Sequence, residues 1–185
     1  MSIAGRLYSF ILSVSIIFSI NSFFSCKNYD LNTEIRQSDS LLAMIEQASQ
    51  TLIIDNEFIR LRMDSMEKKL SLISKLDSNR MNDEFKLDII RYRALLNNYK
   101  NFEISYEAIT YDNQVHKNYC QDLKKKLLDN EITKKEFSME YILKKGELEN
   151  HLLRCVKLVK DMTGIEKMYQ RINSRLSSFL IKESG

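Results

Sequence analysis

Beyond residue 40, apolar residues recur at alternating steps of three and four, the spacing that lays them along one stripe of an α-helix. From Leu42 to Ile73 the stripe is apolar at eight of ten places, interrupted by Ser49 and Asn56. From Phe85 to Leu127 it is apolar at ten of thirteen, the exceptions being Asp88, Asn113 and His116. From Phe137 to Phe179 it is apolar at eleven of thirteen, with Lys144 and His151 as exceptions. The third stripe keeps its phase across Gly146 and Gly164, which predicts one unbroken helix and leaves close approach of a neighbour as the reason for the glycines. Further apolar residues beside the stripes, among them Ile54, Phe58, Leu61, Leu72, Leu152, Val156 and Val159, broaden each face enough to meet two neighbours.

Punctuation between the stripes is sparse. The chain has no proline, and Gly146 and Gly164 are the only glycines in the helical stretch. Turn-prone residues cluster at Asp77–Asn82 and at Asp129–Thr133. Asn82 can cap a helix whose first turn holds Asp83 and Glu84, and Thr133 with Glu136 has the spacing of a capping box. These signals predict helices at 31–77, 83–128 and 134–181, each about 70 Å long at 1.5 Å per residue. Near-equal lengths and short turns point to an all-α fold, an elongated antiparallel three-helix bundle of coiled-coil character.

Folding the last two helices about residue 131 sets a register. Cys120 then lies opposite residue 143, roughly 18 Å along the axis from Cys155, too far for a disulfide, so both thiols are expected as small buried hydrophobes. The same register sets His151 opposite residue 112, near Asn113 and His116, with Glu46 and Ser49 of the first helix at matching height. Three readings of this group are open: a hydrogen-bonded polar layer that fixes register, histidines facing solvent, or a metal or pH-sensing site.

The first residues carry a different signal. After Arg6, the fourteen residues from Leu7 to Ile20 comprise ten apolar residues and four serines. That is the short hydrophobic core of a signal peptide, and it falls short of a roughly 20-residue membrane span. The segment Phe23-Phe24-Ser25-Cys26 that follows resembles the lipobox of bacterial lipoproteins. The resemblance covers the first 26 positions and implies a signal peptide at 1–25, removed, and a lipid-anchored body at 26–185 with the lipid on Cys26. It also implies a cell-envelope location, on the outer membrane because Lys27 and not Asp follows the cysteine. An uncleaved signal anchor, and ordinary secretion or a chance match, are the other readings of this segment.

The formal net charge is +3, and loss of residues 1–25 removes one basic residue, Arg6, leaving +2. So small a charge argues against nucleic-acid binding. In the expected topology Lys124, Lys125, Lys126, Lys134 and Lys135 lie near the membrane, either as a basic end attracted to anionic headgroups or as a solvated cluster broken up by Asp122, Asp129, Glu131 and Glu136. The chain shows no phosphate loop, nucleophile elbow, His-Glu-x-x-His or Cys-x-x-Cys pattern, so no catalytic residues and no cofactor are expected. The expected function is a non-catalytic helical interaction or spacer module, held to a membrane through Cys26 and meeting a protein partner. The alternatives are a small-ligand or metal carrier built on the polar layer, or a subunit of a helical homo-oligomer.

Overall fold

The computed structural model describes residues 31–77 and 81–184, with side chains as far as Lys182. The chain divides into two compact units, residues 1–33 and 34–185. The first falls almost wholly outside the described residues, and with it the expected signal segment and the expected lipidation site Cys26. The body is all-α: α1 (Asn32–Thr51), α2 (Asn56–Ile73), α3 (Asp83–Leu128) and α4 (Lys134–Ser184). There is no strand among the described residues. In cross-section it is a three-helix bundle, with α3 and α4 as a long antiparallel hairpin and α1 followed by α2 along its side.

Both expected helix starts are built as the sequence suggests. The Asn82 side chain accepts a hydrogen bond from the Phe85 amide at 2.8 Å, capping α3. At α4, the Thr133 amide donates to Glu136 Oε2 at 2.8 Å and the Glu136 amide donates back to Thr133 Oγ1 at 3.3 Å. This is a reciprocal capping box. Between the two, α3 ends with Glu131 N donating to Lys126 O and Asn130 N to Leu127 O. Asn130 takes a left-handed φ of 57°, which closes the helix in a Schellman motif at a residue type that tolerates this conformation.

The first segment departs from the expectation of one helix over 31–77. It is interrupted at Leu52–Asp55, where Asp55 turns extended and caps α2 by accepting from the Phe58 amide at 3.0 Å. The exposed end of α1 is closed from outside, since the Tyr106 hydroxyl donates to the Leu52 carbonyl at 3.0 Å. Beta-branched Ile53 and Ile54 before a capping Asp favour an extended step over continued helix. The buried stripe of α1 also sits one residue from the expected one in places, on Leu41, Ile45, Ala48 and Leu52.

α4 runs unbroken through both glycines, but no neighbour crowds them: a Cβ built on Gly146 or Gly164 would meet nothing within 4 Å. Close approach is therefore not their explanation. Each glycine in a helix interior costs up to about 1 kcal/mol relative to alanine, largely through the freedom of the unfolded chain. Gly146→Ala and Gly164→Ala are each expected to stabilise the protein by about 0.5–1 kcal/mol, read as a higher urea midpoint at unchanged slope. A loss of stability in both would refute the open geometry around them.

The wider faces are only partly covered. Ile54 and Leu152 pack on the core, whereas Phe58, Leu61, Leu72 and Val156 are exposed. No helix among the described residues is long and apolar enough to cross a membrane.

Candidate functional site

The register brings four of the five expected layer residues together. Ser49 Oγ donates to the Ile45 carbonyl at 3.1 Å, which leaves its lone pairs for Asn113 Nδ2 at 2.7 Å. That fixes the Asn113 amide with Oδ1 turned to His151, where Nε2 lies 3.1 Å away. An oxygen can only accept, so His151 carries its proton on Nε2. The His116 ring lies against the His151 ring, edge to face with centroids 5.0 Å apart. His151 is 2% exposed and Asn113 9%.

Glu46 is not part of this layer. It is exposed and accepts a bond from Gln50 on the outer surface of α1. Its height along the bundle is right, but with Ile45 turned inward the next residue is rotated about 100° away. Cys155 takes part instead, with Sγ 3.7 Å from His151 Nε2. Its signal in the sequence was the i, i+4 spacing His151–Cys155, repeated as His116–Cys120. Both cysteines are free and buried. Burial pushes the Cys120 thiol up to about 11 and raises that of Cys155 as well, so both stay protonated and weakly reactive.

Two atoms of the layer lack a partner: the Nδ1 atoms of His116 and His151 are buried without a hydrogen bond. Burial lowers the pKa of both imidazoles, with Lys144 adding to the effect at His116 and the neighbouring His116 ring adding to it at His151. Among the described residues, no group of three or more His, Cys, Asp or Glu could hold a metal ion.

A second, partly buried polar cluster lies further along the bundle, and the sequence reading gave its charged members no role. Arg62 donates to Glu166 Oε1 at 2.6 Å, and the Tyr99 hydroxyl donates to Glu166 Oε2 at 2.6 Å. The Arg62 guanidinium also covers the Tyr169 ring at 4.1 Å and the Phe58 ring at 4.6 Å. Beyond it, buried Asp88 accepts two bonds from Arg175, at 2.6 and 2.7 Å. Asp88 and Asn113 were visible as polar gaps in the second stripe, but the partners Arg62, Glu166 and Arg175 lie off the stripes, where charged residues ordinarily face water.

At the opposite end of the bundle the basic cluster is largely neutralised. Lys124 pairs with Asp39 at 2.6 Å, Lys126 with Asp122 at 2.7 Å and Lys134 with Glu34 at 3.2 Å. Lys125 and Lys135 are exposed. The pairs Lys134–Glu34 and Lys124–Asp39 nevertheless place the start of α1 beside the end of α3 and the start of α4.

The chain matches no protein-family model, no curated protein and no solved structure.

Proposed function

We propose that this protein is a lipid-anchored component of a bacterial cell envelope, a non-catalytic helical module that spaces or recruits a protein partner. The observation that carries this reading is the sequence from Arg6 to Cys26: a short apolar core followed by a lipobox-like Phe-Phe-Ser-Cys. A diacylated and N-acylated cysteine would bury enough methylenes, at about 0.8 kcal/mol each, to hold the body durably on a bilayer. Lys27 after the cysteine favours the outer membrane.

Two features of the body support the module. The layer's His151 and Asn113 are buried and bonded to each other, which favours a scaffold over a carrier that loads a ligand there. The body's outer faces keep large apolar residues, including Leu61, Ile104, Tyr111, Ile142 and Leu153, each more than half exposed. Such residues suit contact with another helical protein or a second copy. Cys26 lies eight residues before Glu34 in the chain, and Glu34 pairs with Lys134 at the lysine-bearing end of the bundle. There Lys125 and Lys135 are the lysines best suited to meet anionic headgroups.

Metabolic labelling with an alkyne fatty acid tests the anchor directly. The native chain is expected to take up label and sediment with membranes, and Cys26→Ala is expected to lose the label completely. Equal labelling of the two chains, or an unlabelled native chain, would overturn the proposal.

A further inference from the structure

The polar layer does more than fix register, because it sits between two apolar cores. The large buried cluster runs from Ala48 to Leu176 and includes Ile109 and Cys155. Leu41, Ile45, Cys120, Leu123, Leu127, Phe137 and Leu148 are equally buried but lie outside that cluster. They fill the lysine-bearing end, and α1 is the helix that covers it. α1 is joined to α2 through the non-helical step Leu52–Asp55, so it can move without disturbing α2. One of its own buried groups, Ser38 Oγ, has no hydrogen-bond partner, which weakens its hold.

Ser49 is the residue of α1 in the layer, and its bond to Asn113 sets the His151 tautomer. With Asn113 held as described, His151 keeps its proton on Nε2, and any further proton must go to Nδ1. That atom is buried and faces no acceptor. The charged groups around the two rings are Asp112, Lys144, Glu147 and Arg154. Each carboxylate is already engaged, Asp112 by Arg154 at 3.2 Å and Glu147 by Lys144 at 2.5 Å. From α1 the layer receives only Ser49, since Glu46 is turned to the surface. An added imidazolium would therefore stand beside a second imidazole with no carboxylate bonded to it, and Asp112 and Glu147 offset only part of the cost of burial.

We propose that the His116–His151 pair is a proton-operated latch: uptake of a proton from solvent onto this pair releases α1 from the α3–α4 hairpin, with Leu52–Asp55 as the hinge. Only an N–H bond forms, and the imidazolium gains hydration once α1 has moved away. The sign follows from linkage. Both imidazoles are harder to protonate in the closed bundle than in water, so the open state binds more protons as pH falls below the usual imidazole value of about 6.5. Closure is complete above that value and weakens below it. The opening equilibrium is expected to grow up to about tenfold per pH unit for one proton taken up, and about a hundredfold for two. The inference concerns the body alone and stands whether or not Cys26 carries lipid.

Hydrogen exchange of the full chain between pH 7.5 and 5.0, corrected for intrinsic rates, tests it. Amides of Leu41–Thr51 are expected to lose at least tenfold in protection, while those around Tyr99 and Tyr169 keep theirs. His151→Gln retains a donor for Asn113 but cannot titrate, so the pH response should fall at least severalfold. Equal loss of protection in both halves, full protection of α1 at pH 5.0, or an undiminished response in His151→Gln would each overturn the latch. Should the variant fail to fold, an NMR titration of the native imidazole nitrogens decides. Protonation coincident with α1 opening supports the latch, and opening while both rings remain neutral refutes it.

Discussion

Glu166→Ala is expected to destabilise the protein by about 2 kcal/mol, the magnitude typical of losing hydrogen bonds to a charged group that is only partly exposed. The carboxylate accepts from both Arg62 and Tyr99 at 2.6 Å, so its removal takes an acceptor from two donors at once. Burial and the bond to Glu166 raise the Tyr99 pKa, so the hydroxyl remains a donor at every physiological pH. Its loss of an acceptor adds an unsatisfied buried hydroxyl to a guanidinium already short of a partner at Nε. Tyr99→Phe should cost only about 1 kcal/mol, because Arg62 then keeps its carboxylate. Urea melting of the two variants separates these effects. A cost below 1 kcal/mol for Glu166→Ala would show that the cluster is solvated and that its geometry contributes little.

The second large effect is expected at Phe137, whose side chain is completely buried in the first turns of α4. Phe137→Ala should cost about 3–5 kcal/mol through lost apolar burial and the cavity left behind. Because Phe137 belongs to the core at the lysine-bearing end, the loss should fall on that end first. Exchange protection of Leu41, Ile45 and Leu123 should drop more than that of Tyr92 or Ile172. A uniform drop along the bundle would mean that the polar layer does not separate the two cores.

How far the fold could be read in advance depended on which physical signal each element carried. α3 and the start of α4 were legible because their caps are side-chain chemistry written into the sequence, at Asn82 and at Thr133 with Glu136. The hairpin register was legible too: a short turn leaves two long helices little freedom to slide, and His151 meets Asn113, one residue from its expected opposite. The break at Leu52–Asp55 was hidden because Leu52, Asn56 and Ile59 keep the three-four spacing straight through it. Periodicity records which side a residue faces and not whether the backbone between is helical. Asp55 before Asn56 was the signal available.

The polar layer shows the same division. Height along the axis follows from counting residues, which placed Ser49, Asn113, His116 and His151 at one level. Rotation about the axis does not follow from counting, and Glu46 was misplaced for that reason. The Arg62–Glu166–Tyr99 cluster escaped because charged side chains beside a stripe are usually solvated. Their partial burial here comes with the Phe58 and Tyr169 rings that cover the guanidinium.

The antiparallel course of α3 and α4 sends their two thiols in opposite directions from the histidines, four residues beyond His116 in one helix and four beyond His151 in the other. Each half of the molecule therefore holds one shielded sulfur of its own. Alkylation rates at Cys120 and Cys155 would time the breathing of each half separately, with no label to be introduced.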